Sequence, residues 1–341
     1  MAENKLTAQQ RAQLFGAATR QHFQMIGKKS VGPSQTVEFA VPKARIVEGF
    51  RLRMKGAVTG GTLIPGSYDI YDLIRRISVD FNNGFSPVVV SGAQMARINT
   101  LSPAAKLIPA TNPEMAAMGV GGLCVVDGAN FDFMLDIPLV LNYRDPVGLV
   151  LAQNQETNIT VTIDTANPAN VIEGATDFSA TVELECNSFS IPANTNYLPD
   201  MSVLKVVDAR NEVFTAGQNY IKLPVGMIYR KMVFKFENAD GEPMTAEEIT
   251  SNIELVLNTA DIPYSISPDM LKKFNIMQVG MDMGAGVYFF SFDWQGLAAS
   301  YGGSRDLLDT ERITEFALRF SASVPGKVTI VSEKMSRLIA G

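Results

Sequence analysis

The sequence predicts an all-β protein built from two tandem eight-stranded jelly rolls, preceded by an N-terminal amphipathic helix. Three observations lead to this prediction. Short stretches of alternating apolar and polar residues recur from residue 36 onward and are separated by turn-forming residues. The second part of the chain weakly repeats the first. The length of 341 residues suits two domains of about 150 residues each, with a short additional segment.

The composition is that of a folded chain that buries surface against other molecules. Apolar residues make up 46% of the chain, and charged residues only 19%, below the usual value of about 25%. This much apolar material excludes a disordered protein. Because so few charges are available to solvate a free surface, we expect burial against other copies of the chain or against partners.

Residues 6–27 are predicted to form the N-terminal helix. Apolar side chains recur there at helical spacing, Thr7 can cap the first turn, and Gly27 can end the helix. The stretch 28–33 is predicted to be a hinge, so that residues 1–35 form a separate arm. Two interpretations are open at this point. The helix either packs onto the domain that follows or lies against a neighbouring molecule or an acidic surface.

The arm is basic, whereas the rest of the chain is acidic. Glu3 is the only acidic residue among the first thirty, although the whole chain has a net charge of −6. This asymmetry predicts that the arm and the body face different surroundings. The residues expected to face a membrane or a neighbouring chain are Lys5, Arg11, Arg20, Lys28 and Lys29.

From residue 36 the apolar residues recur with a period of two. The stretch 37–41 alternates first, and Phe50, Leu52 and Met54 then alternate with arginine and lysine. The chain has no regular succession of strands and helices, which argues against a parallel doubly wound sheet and for a sandwich or barrel. Further strands are predicted at 77–81, 131–141, 159–163, 180–186, 219–223, 230–236, 253–257, 286–292, 313–320 and 327–332.

The internal repeat is the most informative feature of the sequence. Residues 73–99 can be aligned with residues 249–275 without a gap. Each copy then consists of a strand, a turn, a proline, a second short strand and a short helix capped by serine. The matched pairs include Asn82 with Asn258, Pro87 with Pro263, Ser91 with Ser267 and Ile98 with Phe274.

Three further pairs of segments follow the same order and extend the repeat. They are 46–54 with 228–236, 158–160 with 312–314, and 182–184 with 328–330. The repeat predicts a first jelly roll at 36–196 and a second at 197–341. The inward residues of the equivalent long strands, which we expect in the two barrel cores, are Phe50, Leu52, Met54, Met232, Phe234 and Phe236.

No catalytic, metal or cofactor site is predicted. His22 is the only histidine, too few imidazoles for a cupin-type metal site, and a Ser-His-Asp triad would have to use it. Asp127, Asp132 and Asp136 lie close together, but solvation of turns and strand edges explains them better than a glycosidase pair. The glycine-rich stretch 119–122 lacks the lysine and helix of a phosphate-binding loop. We therefore expect no enzymatic activity.

The remaining residues of note are interpreted as structural. Cys124 and Cys186 form no CxxC motif and are predicted to be packed thiols of a chain made in a reducing cytoplasm. No signal peptide and no membrane-spanning run is expected. Trp294 follows an aromatic-rich strand, so core packing explains it better than carbohydrate binding. The acidic body would repel phosphate, so no direct nucleic-acid binding is expected.

Several patches of the chain resemble a known family. They are the opening helix at 6–12, Ala-Arg-Ile-Val-Glu-Gly-Phe at 44–50, Asp-Leu-Ile-Arg-Arg-Ile at 72–77, Asp-Ile-Pro-Leu at 136–139, and Gly-Val-Tyr-Phe-Phe at 286–290. Their order, together with the duplication, resembles the double jelly-roll major capsid proteins of tailless, membrane-containing icosahedral bacteriophages, the tectivirus type and its relatives.

The resemblance implies a structural protein of the virion. Three chains would form a pseudo-hexameric homotrimer that tiles an icosahedral shell around an internal membrane. Its partners would be neighbouring capsomers, other capsid proteins and, through the N-terminal arm, the membrane. The chain would occupy the virion capsid, and the host cytoplasm before assembly. The alternative kept open is a receptor- or carbohydrate-binding jelly-roll protein of the virion.

Overall fold

The computed structural model describes residues 8–64, 68–82, 84–101, 123–141, 148–153, 156–198, 201, 203–259, 261–295 and 307–337. Strands dominate among these residues, and the described strands form three hydrogen-bonded sheets. Sheet A has the order β1-β10-β3-β7-β6, with β8 also paired to β3. The strands of the first half are β1 (Gln21–Val31), β2 (Thr36–Ala40), β3 (Ile46–Gly60), β4 (Ile74–Phe81), β5 (Phe85–Val90), β6 (Leu123–Asp127), β7 (Asn130–Pro138), β8 (Val150–Leu151), β9 (Ile159–Thr165) and β10 (Ala175–Phe189).

The second half repeats this plan. Its strands are β11 (Val203–Phe214), β12 (Gly217–Leu223), β13 (Ile228–Asn238), β14 (Ile253–Leu257), β15 (Asp261–Ile266), β16 (Val287–Ser291), β17 (Leu308–Asp309), β18 (Phe316–Ala322) and β19 (Gly326–Arg337). Within the described residues, the helices with at least two turns are α1 (Ala8–Ala18), α2 (Gly92–Thr100) and α3 (Pro268–Val279).

Each half is a jelly roll of two facing sheets. In the first barrel, the strands β1-β10-β3-β7 face β2-β9-β4-β5, and in the second, β11-β19-β13-β16 face β12-β18-β14-β15. The two orders match strand for strand, so that β1 corresponds to β11, β2 to β12 and β3 to β13. Helix α2 follows β5 in the first barrel, as α3 follows β15 in the second. The predicted fold class is therefore confirmed.

One sheet runs through both barrels. Sheet B has the order β16-β13-β19-β11-β5-β4-β9-β2, and β17 pairs with β13. The barrels join where β11 lies parallel to β5, with Val207 opposite Val88 and Asp208 opposite Val89. The other strands of the second barrel form sheet C, β12-β18-β14-β15. Pairing β5 with β11 covers one open strand edge from each barrel.

The repeat aligns the turns of the two barrels residue by residue. Asn82 and Asn258 both have positive φ, 53° and 48°. The side-chain oxygen of Asn82 accepts a hydrogen bond from the Asn158 amide at 2.7 Å, and that of Asn258 accepts one from the Thr314 amide at 2.9 Å. Asparagine tolerates this left-handed conformation better than most residues, which explains its use in both turns.

One alignment within the repeat was wrong. Residues 158–160 were matched with 312–314, but Ile159 pairs with Phe81 and Phe316 pairs with Leu257. Because Phe81 and Leu257 are equivalent, Ile159 corresponds to Phe316, and β18 begins at Phe316 instead of residue 313. Strands with the same alternation differ little in sequence, so the pattern alone does not fix the register.

The predicted N-terminal helix is present as α1, but its predicted extent, 6–27, was wrong. Helix α1 ends at Ala18, and Gln21–Val31 form β1, which pairs antiparallel with β10. Gly27 does not end a helix; it lies beside a bulge in β1, and a Cβ atom there would approach Phe39 to 3.2 Å. The predicted hinge at 28–33 is the end of this strand and the turn that follows. Tertiary pairing with β10 overrides a helical spacing that is equally compatible with an edge strand.

Helix α1 packs onto its own chain. Phe15 is only 2% exposed and forms an edge-to-face contact with Phe189, with ring centroids 5.3 Å apart. It shares a small apolar cluster with Ile46, Val140 and Leu149 at one end of the first barrel. Of the two interpretations left open, the described part of the helix therefore fits domain packing.

Candidate functional site

The sequence-derived chemical candidates are spread over the first barrel. Cys124 and Cys186 are buried free thiols, and burial raises the pKa of Cys186 to about 12, so its thiol stays protonated and unreactive. Asp132 and Asp136 lie on the outer face of sheet A in ion pairs with arginines. His22 lies on β1 instead of a helix. Among the described residues, no group of three or more His, Cys, Asp or Glu side chains is arranged to hold a metal ion.

Two other candidates carry no structural conclusion. The glycine-rich stretch 119–122 lies outside the described residues. The backbone of Trp294 belongs to a short 3-10 helix, Phe292–Gln295, but its side chain is outside the description.

The inward residues of the long strands lie in two separate apolar cores. Phe50, Leu52 and Met54 of β3 are buried in the first. Met232, Phe234 and Phe236 of β13 are buried in the second. Val182 pairs with Met54 and Val328 with Phe236, so the two strands hold equivalent places in their barrels.

The junction between the barrels is built from apolar side chains of both barrels. Strands β13 and β19 of the second barrel turn Val233 and Val331 away from their own core, and both pack into the apolar cluster of the first barrel. Val207 of β11 and Phe289 of β16 do the same. All four are at most 2% exposed. The first barrel thus covers the outer face of the β11-β19-β13-β16 strands.

Helix α2 supplies the other side of this junction. A capping box begins it, in which Ser91 accepts from the Gln94 amide and the Gln94 side chain accepts from the Ser91 amide at 2.8 Å. Arg97 stacks over the Tyr68 ring at 4.6 Å from its centroid. Asp72 beside the helix is partly buried, and this burial raises its pKa even though Arg97 opposes the shift. Helix α2 is therefore anchored on the first barrel, and it also contacts β13 of the second.

A buried group of charges lies at one end of the junction. We call Lys205, Arg230, Lys231, Asp293 and Glu333 the junction charge cluster. Glu333 contacts Lys205 and Arg230 at 3.0 Å each, and Asp293 contacts Arg230 at 3.0 Å. Arg230 also donates to the Leu141 carbonyl of the first barrel at 2.9 Å. This cluster therefore links the two barrels through buried ion pairs and a hydrogen bond.

Glu333 is the central anion of that cluster. Burial alone would raise its pKa, but the cations of Lys205, Lys231 and Arg230 outweigh burial and hold the pKa well below its usual range. Lys205 is also fully enclosed, and burial lowers its pKa to about 8 despite the attraction of Glu333. The cluster contains three cations and two anions, so each anion compensates more than one buried positive charge.

The outer face of sheet A differs from its counterpart in the second barrel. Arg51 pairs with Asp136 at 3.1 Å, and Arg53 pairs with Asp132 at 2.5 Å. Glu183 contacts both Arg53 at 3.5 Å and Lys28 at 2.7 Å. We call these paired side chains the outer charge ladder. In the second barrel, those equivalent positions that the first barrel covers carry apolar side chains. The outer charge ladder of the first barrel, by contrast, is open to solvent.

The residues predicted to form one basic arm lie in surroundings that differ from one residue to the next. Lys28 is paired with Glu183, and Lys29 donates to the Glu38 carbonyl at 2.5 Å and lies over the Phe39 ring. Arg20 is fixed by its backbone amide, which donates to Ser190 Oγ at 2.9 Å. Arg11 lies on α1, and Lys5 is outside the described residues. No helix in the described part of the chain combines the length and apolar character needed to cross a membrane.

Glu48 is a buried carboxyl group whose charge should make stability depend on pH. It lies on β3, where burial raises its pKa from 4.5 to about 7, and Gln21 and Arg51 only partly oppose the shift. Because the folded pKa is the higher one, this stability contribution is complete below pH 4.5 and is lost as pH rises through about 7. We expect Glu48→Gln to raise the free energy of unfolding by about 3 kcal/mol at pH 8, with little change near pH 5.

Urea unfolding of the wild type and Glu48→Gln at both pH values measures this effect. Glu38→Gln on the exposed side of β2 is the matched control, and as a surface substitution it should change the free energy of unfolding by less than about 0.5 kcal/mol. A gain for Glu48→Gln that is the same at pH 5 and pH 8 would contradict the prediction.

The comparisons with known proteins identify the fold. No protein-family model and no curated protein sequence matches the chain. The major capsid protein of Sulfolobus turreted icosahedral virus (STIV) is similar in structure, with a TM-score of 0.70 and 14% sequence identity over 93% of this chain and 97% of that one.

Two further solved structures match over nearly their whole length. The PBCV-1 protein VP54, fitted into a reconstruction of the virophage Sputnik, has a TM-score of 0.66 and 12% identity over 95% of this chain and 96% of that one. The major capsid protein of bacteriophage PM2 has a TM-score of 0.58 and 12% identity over 94% of this chain and 99% of that one. The chain therefore has the double jelly-roll fold of viral major capsid proteins.

Proposed function

We propose that the chain is the major capsid protein of an icosahedral virus. The observation that carries this proposal is the end-to-end match, since the STIV protein covers 93% of this chain and is itself covered to 97%. The match takes in both barrels and their junction, not a single jelly roll. A jelly roll alone occurs with many functions, whereas two barrels joined by one continuous sheet form a block suited to tiling.

The surface of the chain supports a role in assembly. Only 19% of the residues are charged, and large apolar side chains are exposed on β1 and on α3. Exposed apolar surface of this kind marks protein interaction sites. The finer parts of the proposal are a pseudo-hexameric homotrimer, a tailless bacteriophage with an internal membrane, and contact with other capsid proteins.

The homotrimer is the first part to be tested. We expect the purified chain to behave as a particle of about 111 kDa, three times the 37.0 kDa of one chain, because closed symmetric assembly would cover its apolar surfaces. Size-exclusion chromatography with multi-angle light scattering at micromolar concentration measures this mass. A single species of one-chain mass would overturn the proposed assembly.

We also propose that the end of the first barrel carrying α1 faces the internal membrane. Lys28 and Lys29 are held on β1, so the basic residues left for lipid are Lys5, Arg11 and Arg20. Each could contribute about 1 kcal/mol near an anionic surface. We expect the chain to co-sediment with phosphatidylserine vesicles and the variant Arg11→Glu/Arg20→Glu to do so several-fold less. Equal binding by a Lys28→Glu control and by this variant would contradict the assignment.

A further inference from the structure

Glu48 is a carboxyl group buried at a bulge in β3. Gly49 pairs with Asn187 of β10, and the register shifts at the next residue, so that Glu48 is the extra residue of the bulge. Glu48 is only 1% exposed. Its carboxylate accepts a hydrogen bond from Gln21 Nε2 at 3.4 Å, which is longer than an ordinary hydrogen bond of this kind. A carboxylate buried with so weak a contact needs a further partner.

Asn187 has a buried side-chain oxygen without a hydrogen-bond partner. The residue is 3% exposed, and its Oδ1 atom receives no hydrogen bond within the described part of the chain. Buried acceptors are nearly always satisfied in folded proteins. The ionised carboxylate of Glu48 offers only acceptor atoms, so it cannot satisfy Asn187 Oδ1. Two neighbouring strands thus present oxygen atoms that need the same kind of partner.

The second barrel has the same bulge and shows how the two side chains are placed. In β13 the extra residue is Arg230, and the residue after it pairs with Glu333 of β19. The matching bulges make Glu48 equivalent to Arg230 and Asn187 equivalent to Glu333. Arg230 and Glu333 contact each other at 3.0 Å. The backbone of the first barrel therefore brings Glu48 and Asn187 together in the same way.

Gln21 of β1 is the third member of this group. It lies opposite Phe189, and its equivalent in the second barrel, Lys205, lies opposite Met335. Lys205 contacts Glu333 at 3.0 Å. Gln21 lies on an edge strand and is itself exposed, so the group that it completes borders on solvent. A small ion could therefore reach the buried oxygens beside Gln21.

The two equivalent groups differ in their balance of charge. The three cations that β11 and β13 supply to the junction charge cluster are replaced in the first barrel by an amide, a carboxyl group and a glycine. The charges that face Glu48 are those of Arg51 on β3 and Asp136 on β7, and these two pair with each other at 3.1 Å. The first barrel thus buries an anion where the second barrel contains its own cations.

We propose that Glu48, Asn187 and Gln21 bind a calcium ion. The three side chains offer only oxygen ligands, which suit hard cations, and Gln21 can present its oxygen when its amide turns over. Calcium accepts carboxylate and amide oxygens in a flexible geometry and completes its shell with water, whereas magnesium demands a nearly ideal octahedron. The ion would supply the positive charge that Arg230 and Lys205 supply at the equivalent place in the second barrel. This site is independent of the proposed function.

Calcium binding can be measured directly by isothermal titration of the full chain at pH 8. Choline chloride should be the background salt, because choline is too large to replace a metal ion at a buried site. We expect one Ca²⁺ per chain with a dissociation constant of about 10⁻⁴–10⁻³ M, since the site has a single carboxylate. Glu48→Gln should abolish this binding. The control Glu38→Gln removes an exposed carboxylate on β2 and should bind calcium as the wild type does.

Asn187→Asp should change calcium binding in the opposite direction. The substitution places a second carboxylate beside Glu48, so we expect calcium to bind about tenfold more tightly. Without calcium the two buried carboxylates repel each other, and the variant should melt below the wild type. Added calcium should reverse that loss. A proton held by Glu48, which is the competing way to satisfy these oxygens, would not make the variant respond to calcium.

The second barrel provides a variant that should need no metal. Glu48→Arg/Asn187→Glu rebuilds in the first barrel the ion pair of Arg230 with Glu333. We expect this variant to keep the circular dichroism spectrum of the wild type and to bind no calcium at this site. Its melting temperature should not change when calcium is added.

Thermal melting with and without calcium gives the deciding comparison. Millimolar calcium should raise the melting temperature of the wild type by several degrees and leave that of Glu48→Gln unchanged. Equal increases for both would mean that calcium binds elsewhere, which overturns the inference. No response of the wild type and none of Asn187→Asp also overturns it, and Glu48 is then satisfied by a proton. None of these results bears on the proposed capsid function.

Discussion

Replacing Leu52 or Phe234 with aspartate is expected to prevent stable folding. Both side chains are completely buried, Leu52 in the core of the first barrel and Phe234 in the core of the second. A carboxylate at either position would lie among buried apolar side chains, and burying it unpaired should cost more than about 4 kcal/mol. That is a large share of the roughly 5–15 kcal/mol that separates folded from unfolded domains.

Circular dichroism and urea unfolding of each variant measure the loss. Val213→Asp introduces the same group on β11 at a largely exposed position, and we expect a change within about 0.5 kcal/mol. Comparison of Leu52→Asp with Phe234→Asp also shows whether one barrel survives the loss of the other. Wild-type unfolding curves for both variants would mean that β3 and β13 do not present these residues to the cores.

The second-largest effect is expected for Glu333→Gln. The substitution keeps the shape of the side chain but removes its charge, so that Lys205, Arg230 and Lys231 face Asp293 alone. Removing one partner of a buried ion pair costs about 3–5 kcal/mol, because the remaining charges stay buried without compensation. We expect a loss of that size in the free energy of unfolding, measured in urea at pH 7.

The matched control is Glu212→Gln. Glu212 pairs with Arg210 on β11 at a partly exposed site, where such a pair contributes about 0–1 kcal/mol. A rescue variant strengthens the test, since adding Lys205→Met to Glu333→Gln removes one uncompensated cation and should restore part of the stability. A loss for Glu333→Gln no greater than that for Glu212→Gln would show that the cluster does not hold the barrels together.

The junction charge cluster predicts whether the free energy of unfolding rises or falls with pH. The pKa of Glu333 is lowered in the folded state, so its stability contribution is complete above the unfolded value of 4.5 and is lost as pH falls toward the folded pKa. Acid should therefore weaken the wild type more than Glu333→Gln. Glu48 has the opposite sign, because its folded pKa is raised.

The sequence was most informative where both barrels use the same residues for the same purpose. The turns at Asn82 and Asn258 and the alternation of β3 and β13 recur because each barrel needs the same local geometry. Ser91 and Ser267 both occupy the N-cap position of the following helix, although only the Ser91 side chain makes the capping hydrogen bond. Local patterns of this kind depend on residues that are close together in the chain, so they can be predicted without a structure. They were enough to predict two jelly rolls in tandem.

Edge strands were the part of the fold that the sequence predicted least well. The sequence of β1 is equally compatible with a helix, because Met25 and Ile26 continue the helical spacing of apolar residues that includes Phe15. Only pairing with β10, more than one hundred residues away in sequence, makes it a strand. Secondary structure at a sheet edge is decided by a long-range partner, and a single sequence does not display that partner.

The amino-acid sequence by itself determined the fold class, the duplication and the inward faces of the long strands, because alternation and turn chemistry are local properties of the chain. The tertiary structure alone decided that β11 lies beside β5, that Lys205 and Glu333 meet between the barrels, and that Glu48 lies at a bulge beside Asn187. The physical reason is that these features arise from contacts between segments distant in sequence. Burial, charge compensation and open edges exist only after those segments have come together.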